Sequence, residues 1–378
     1  MIKYNTFTLK NGLKVIHHLD KTTPMVVVNT IYNVGARDED ESRTGFAHLF
    51  EHLMFGGSEN IENFDAPLQL AGGECNAFTS NDITNYYNTL PAENLETALW
   101  LESDRMLKLA FTPKSLEVQR QVVIEEFKQR YLNQPYGDVW LQFRPLIYKT
   151  HPYKWATIGK SIKHIEEATM EDVKSFFFKH YGPQNATLVI GGHVEFDAVK
   201  TLVTKWYADI PAREKYIRNI TAEPKQEETR RLIIERKVPT NAIYMSFRMG
   251  NRLTHDHYLG DIISDILSAG KSSRLYQSLV KEKKLFTDAS AYILGGIEDG
   301  IFLFSGHLME GVDFETAEQS ILTEIELLIE KSISANELTK IKNKFQTAKA
   351  FQDQSLLNRV MNLAMFDQMD KLDSINTE

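Results

Sequence analysis

Gly45-Phe46-Ala47-His48-Leu49-Phe50-Glu51-His52-Leu53 is the stretch from which the rest of this chain is read. Phe46, Leu49, Phe50 and Leu53 recur at i, i+3, i+4 and i+7, one face of an α-helix, and predict a helix over 43–55. Residues four apart are neighbours on a helix surface. His48 and His52 therefore point two imidazoles at one ion, with the apolar stripe packed on the opposite side. Glu51 lies on the histidine side, placed to reach a water on that ion rather than the ion itself. Neutral imidazole is a good Zn²⁺ ligand, and a hydrolytic site needs three protein ligands plus an open position for water. The ion lowers the pKa of its water towards ~7, and a neighbouring carboxylate takes the proton on attack. The alternative is two histidines that share a turn by accident, which the helical stripe around them disfavours.

The order H-x-x-E-H is the inverted zincin signature, and it still needs a third ligand. Cys75 is the single cysteine. That excludes a disulfide framework and an all-cysteine zinc site, and leaves His, Asp or Glu to hold any metal. A helix predicted over 113–132 offers Glu125-Glu126, after Val122-Val123-Ile124 and before Phe127. Adjacent helical residues point about 100° apart, so only one of the pair can face the site. Helical geometry alone does not choose between them.

Around this centre strands and helices are mixed rather than strictly alternating. Asn11-Gly12 separates two alternating runs, 6–9 and 13–17, which predicts a hairpin. Residues 25–32 read as a buried strand, and 75–79 and 83–88 as two strands about the Ser80-Asn81-Asp82 turn. Helices are expected near 91–109, 138–148, 170–180 and 196–206, with a strand at 186–190. A polar, proline-bearing stretch at 216–230 reads as a linker. After it the order of elements begins again, with a strand at 242–249, helices at 255–267 and 271–282, strands at 288–294 and 300–307, and helices from about 314 and 335. Aligning Gly56 with Gly270 superposes strand, helix, strands and helices in order, a duplication too long in period for a solenoid.

The fold class is α+β: two homologous domains, each a mainly antiparallel sheet packed with helices. The expected boundaries are 1–215 for a zinc-bearing catalytic domain, 216–230 for the linker and 231–378 for a homologous non-catalytic domain. On the alignment the second domain has no counterpart of 170–190. It is expected to be C-terminally incomplete, with an exposed edge or apolar face.

Composition bounds the function. Of 378 residues, 42% are hydrophobic and 25% charged, enough to bury large cores, so disorder is not the main state. A net charge of −8 argues against a nucleic-acid partner. No apolar run approaches the roughly 18 residues of a membrane span, so no membrane partner is expected. The N-terminus shows no charged-then-apolar leader, and the chain is read as cytoplasmic; a periplasmic mature form trimmed of its signal would look the same.

His48-Leu49-Phe50-Glu51-His52 followed down the chain by Glu126 resembles the inverzincin zinc peptidases: pitrilysin, insulin-degrading enzyme and the β subunit of mitochondrial processing peptidase. The resemblance also runs through Asn11-Gly12-Leu13, Val34-Gly35-Ala36-Arg37-Asp38-Glu39, Gly45-Phe46-Ala47 and Asn76-Ala77-Phe78-Thr79-Ser80. It continues through 120–126, His151-Pro152-Tyr153 and Ser272-Ser273-Arg274-Leu275, and so covers nearly the whole chain. It implies one Zn²⁺ per chain on His48, His52 and Glu126, with Glu51 as general base. The implied enzyme is a metalloendopeptidase that hydrolyses short or unfolded peptides inside a two-subunit chamber. Asn76, Ala77, Phe78 and Thr79 are implied to form an edge strand on which the peptide substrate lies as an added strand, a mode that tolerates varied sequence.

Three departures from the family pattern matter. Members usually carry a glutamate seven residues before the third ligand; here Gln119 stands there, which keeps hydrogen bonding but not charge behind the ligands. The family's distant Arg and Tyr, which bind substrate and polarise the scissile carbonyl, correspond to Val280 and Thr287. Neither can give a charged or phenolic hydrogen bond to a developing oxyanion. The expected partner is therefore a homologous second subunit that supplies the Arg/Tyr pair, with a homodimer as the alternative. The third departure is the short second domain. Its Ile262, Asp265 and Ile266 stand where His48, Glu51 and His52 stand in the first, so it is read as a wall and dimerisation element.

The alternative function is a non-catalytic structural, assembly or peptide-binding subunit of the same family. Among other groups, His255-Asp256-His257 reads as solvated residues at a helix start, Gly191-Gly192-His193 as a strand-end turn, and His17-His18 as surface. One of Tyr86 and Tyr87 is expected in the core.

Overall fold

Contacts in the computed structural model, which describes residues 1–377, divide the chain into two units: 1–225 together with the segment from 352 onward, and 226–351. The sheet of the first unit has six strands: β1 (Asn5–Thr8), β2 (Lys14–Leu19), β3 (Met25–Tyr32), β4 (Glu74–Thr79), β5 (Thr84–Pro91) and β6 (Ala186–Gly192), in the order β1-β2-β6-β3-β5-β4. Every pairing is antiparallel except β2 with β6. β3 sits between β6 and β5 and is buried from Val26 to Tyr32, which is why its sequence is a nearly unbroken apolar run rather than an alternating one.

Eight helices belong to this sheet's first pass: α1 (Phe46–Leu53), α2 (Asp65–Leu70), α3 (Leu95–Leu107), α4 (Pro113–Phe127), α5 (Val139–Ile147), α6 (Ile162–Glu166), α7 (Met170–His180) and α8 (Phe196–Tyr207). The predicted stripe Phe46, Leu49, Phe50 and Leu53 is buried in one cluster with Val26, Val28 and Tyr86 of the sheet. Thr112 caps α4 by accepting the Ser115 N–H at 3.0 Å, with Pro113 at the first helical position. α4 then runs into a π turn, Lys128–Leu132. The helix expected from 91 starts later, at Leu95, because Pro91 closes β5 opposite Met25.

The second unit contains β7 (Ala242–Met249), α9 (His255–Ser268), β8 (Phe286–Leu294), β9 (Gly300–Leu308), α10 (Phe314–Glu330) and α11 (Ala335–Gln352). Its sheet order, β7-β9-β8, with both pairings antiparallel, repeats β3-β5-β4 of the first unit. The duplication is thus visible as topology. The helix expected at 271–282 is a turn followed by a π turn, Tyr276–Glu282. Leu232 and Ile233, near the start of this unit, are exposed and lie in no strand.

Three expectations are corrected. The domain placed at 231–378 does not keep its C-terminus: α12 (Leu356–Gln368) packs on β6, β3 and β2 of the first unit. Its Val360, Leu363 and Ala364 are buried there, and Thr187 of β6 donates its hydroxyl to Asp367 at 2.7 Å. Gly191, read as a strand-end turn, has a packing reason, since a Cβ there would lie 2.4 Å from Val360. The linker placed at 216–230 begins as a strap on the first unit. Just before it, Arg213 donates to the carbonyls of Met106, Leu107, Phe177 and Tyr181; within it, Arg218 ion-pairs with Asp38. Glu223 accepts the N–H groups of Lys149, Thr150 and His151. Lastly, His17 and His18 are buried rather than surface residues, because helices cover both: Phe196 of α8 packs on His17 and Arg359 of α12 reaches His18; their rings bond the carbonyls of Val194 and Lys3 at 2.8 Å each.

Candidate metal centre

α1 starts at Phe46 rather than 43 because Gly45 turns the chain at φ +90, a region costly to any residue with a Cβ. A Cβ at Gly45 would also lie 2.7 Å from the Ile158 carbonyl oxygen. The far end of α1 is tied to α4, where the Ser115 hydroxyl donates to the Gly56 carbonyl at 3.1 Å. α1 packs against α4.

Across that contact three side chains converge. Nε2 of His48 lies 3.5 Å and Nε2 of His52 lies 3.4 Å from the same oxygen, Oε2 of Glu126. The two imidazoles are perpendicular, with centroids 4.9 Å apart. One ligand atom from each of the three residues lies within 4.8 Å of the others, and among the described residues no other trio of His, Cys, Asp or Glu comes together in this way. The choice between the paired glutamates is settled by the helix: Glu126 faces the histidines, and Glu125 is exposed and ion-paired with Lys128 at 2.6 Å.

The electrostatics suit a divalent cation. Burial holds the His48 imidazole down to about 4, so it is neutral and free to donate a lone pair at neutral pH. Glu126 is held below the usual carboxylate range, first by the hydrogen bond with His52 and then by the Arg130 guanidinium nearby. Two imidazoles and one carboxylate, all Nε2 or O donors, are the donor set of a catalytic zinc site with an open position. Glu51 stays outside the trio. Burial raises its carboxyl pKa, with the Thr79 hydroxyl opposing the shift.

Thr79 ends β4, one of the two edge strands of the six. Along β4, Glu74, Asn76 and Phe78 are exposed while Cys75, Ala77 and Thr79 are half-buried. Asn76, Ala77, Phe78 and Thr79 therefore lie on a sheet edge that reaches the metal centre at Glu51. Burial pushes the Cys75 thiol up to about 11. Tyr86 is buried and Tyr87 half-buried on β5. Gln119 sits two turns before Glu126 on α4 and is half-buried.

In the second unit, Val280 packs against that unit's own core, and Thr287 stands exposed at the start of β8 with its hydroxyl 3.3 Å from the His307 carbonyl. Ile266 is buried and Asp265 is ion-paired with Lys344 at 2.6 Å. Sequence reasoning missed two residues at the centre, Glu39 and Arg130. Glu39 accepts the N–H groups that open α1, and Arg130 ion-pairs with Glu126 at 3.1 Å. An acid upstream of a helix with no side-chain cap, and a base four residues after a metal-facing glutamate, were the available signals.

Residues 14–139 match the profile of Insulinase (Peptidase family M16), and residues 167–345 match that of the Peptidase M16 inactive domain. Over 346 residues the chain is 32% identical to zinc protease PqqE of Helicobacter pylori, covering 90% of this chain and 78% of that protein. The chain belongs to the peptidase M16 family. YmxG of Bacillus subtilis, also named a zinc protease, is 24% identical over 79% of this chain and 72% of its own length. The crystal structure of a protease from Helicobacter pylori superposes with a TM-score of 0.93 at 30% identity, over 99% of this chain and 92% of that one. Pitrilysin shares the fold, with a TM-score of 0.74 at 18% identity; 99% of this chain corresponds to 42% of that chain. His48, His52 and Glu126 all fall within the Insulinase match, and most of the second unit within the inactive-domain match. Zinc is the metal in the names of these M16 relatives.

Proposed function

We propose that this chain is a zinc metalloendopeptidase that hydrolyses short or unfolded peptides, with zinc held by His48, His52 and Glu126. One observation carries the reading: the trio meets at one point beside a free sheet edge, with Glu51 next to it and outside the ligand set. Zinc, when bound, supplies a Lewis acid that polarises the scissile carbonyl and acidifies water. Glu51 accepts the proton released on attack and returns it to the leaving amine. Its burial raises its basicity, which favours uptake of that proton.

β4 offers its outer N–H and C=O groups to an extended peptide, and Asn76 and Phe78 flank that peptide's side chains. An unfolded chain can adopt this geometry and a folded domain cannot. The chain forms one half of a two-subunit chamber. A homologous second subunit brings the Arg and Tyr in whose places this chain has Val280, committed to its own core, and Thr287, bonded within its own sheet.

The test is a fluorogenic peptide assay on this chain alone and on the complex co-purified from its native source. Zinc-dependent hydrolysis by the complex, with little from the chain alone, is expected. Full activity from the chain alone contradicts the two-subunit reading. An inert complex contradicts the peptidase reading.

A further inference from the structure

His48 is the third residue of α1 and His52 the seventh, so the direction of both imidazoles follows the rotation of a helix only eight residues long. So short a helix has little stability of its own, and its first N–H groups have no acceptor inside it. Gly45 has no side chain with which to cap them and no room to acquire one.

Glu39 fills that role from six residues upstream. Its Oε2 accepts the Gly45 N–H at 2.9 Å and its Oε1 accepts the Ala47 N–H at 2.8 Å. One acceptor fixes a helix end in position; two oxygens of one rigid carboxyl on two N–H groups also fix its rotation. Glu39 is itself anchored. It follows the 3₁₀ turn Ala36–Asp38, in which Asp38 accepts the Gly35 N–H at 3.0 Å and the Trp155 indole donates to the Ala36 carbonyl at 2.9 Å. Glu39 is buried, and a carboxyl removed from water is costly unless it is fully bonded. Capping by a small polar residue next to the helix would serve stability at less cost.

We propose that Glu39 is a positioning residue for the metal centre: its two-oxygen cap on Gly45 and Ala47 sets the rotation of α1, and with it the angle at which His48 and His52 meet Glu126. This rests on reading the trio as a zinc site. The side chain touches neither metal nor substrate in that role; it acts through the helix.

The test compares the parent chain with Glu39→Gln, which keeps shape but turns an N–H₂ towards a helix N–H, and Glu39→Asp, which keeps the carboxyl group but shortens the reach. Asp313→Ala is the control, because it removes a comparable cap on α10, where Asp313 accepts the Thr316 N–H at 2.7 Å. Zinc affinity is read by chelator competition well below the unfolding temperature, and ligand geometry by the visible spectrum of the Co²⁺-loaded chain. Glu39→Gln is expected to bind zinc about tenfold or more weakly and to change the Co²⁺ bands, while Asp313→Ala loses thermal stability alone. Unchanged affinity and spectrum in Glu39→Gln, whatever its loss of stability, overturn the proposal. Equal loss of affinity in Asp313→Ala overturns it too. If Glu39→Gln does not fold, Glu39→Asp is judged by the same two readouts. A parent chain that binds no zinc overturns the underlying zinc reading and is seen before any variant is compared.

Discussion

Arg130 Nη1 lies 3.1 Å from Oε1 of Glu126, while both histidines face the other oxygen, Oε2. The π turn that follows α4 carries the guanidinium, and the ion pair holds the carboxylate with one oxygen towards the imidazoles. Arg130→Ala frees that carboxylate to rotate. Because Arg130 is largely exposed, folding stability should change by no more than ~0.5 kcal/mol. Zinc affinity should fall by up to about tenfold. Denaturation and chelator competition on the same samples check both.

Glu125 and Glu126 offer a paired comparison on one helix turn. Glu126→Gln should reduce bound zinc from one per chain to almost none, because an amide is a far poorer ligand than a carboxylate. Glu125→Gln removes only an exposed ion pair with Lys128 and should leave the zinc content unchanged. Metal analysis of dialysed protein decides.

His180 predicts how the zinc-free chain responds to acid. Its ring lies 4.5 Å from those of Phe176 and Tyr216, centroid to centroid, and neither ring nitrogen has a hydrogen-bond partner among the described residues. Burial, with Lys179 and Arg218 adding to it, lowers its pKa to about 3. The unfolded chain therefore binds a proton that the folded chain refuses. Stability should be fully present above about pH 6.5 and fall as the pH drops towards 3, by roughly 2 kcal/mol between pH 6.5 and pH 5 from this residue. His48, lowered to about 4, acts with the same sign. His180→Leu should flatten the pH dependence of urea midpoints over that range; an unchanged slope contradicts the account.

Leu363 reports on the C-terminal helix. It is fully buried on α12, which packs on β6 and β3. Leu363→Ala should destabilise the first unit by about 2–4 kcal/mol, the cost of a core cavity. If α12 were peripheral to that unit, the cost would be near zero. Hydrogen exchange at β3 and β6 localises the effect.

The metal helix was legible because every signal for it is local: a stripe at i, i+3, i+4 and i+7, and two histidines one turn apart. The duplication was legible because strand and helix periods recur in order. What stayed hidden depends on residues far apart in sequence. α12 joins the first unit through Val360 against Gly191 and Asp367 against Thr187, pairs that no periodicity connects. The strap made by Arg218 and Glu223 looked like a linker because its composition is polar, yet those charges are spent on backbone groups and Asp38. His17 and His18 looked like surface residues for the same reason, although Phe196 of α8 and Arg359 of α12 pack on them. Glu126 could be separated from Glu125 only by resemblance until the rotation of α4 was known.

The central claim is that Glu51 moves the proton while His48, His52 and Glu126 hold the metal. Glu51→Gln in the co-purified complex separates the two roles in one preparation. The account predicts one zinc per chain, as in the parent, with peptide hydrolysis reduced by about 10² to 10⁴-fold. Hydrolysis close to the parent's, with zinc retained, would contradict it.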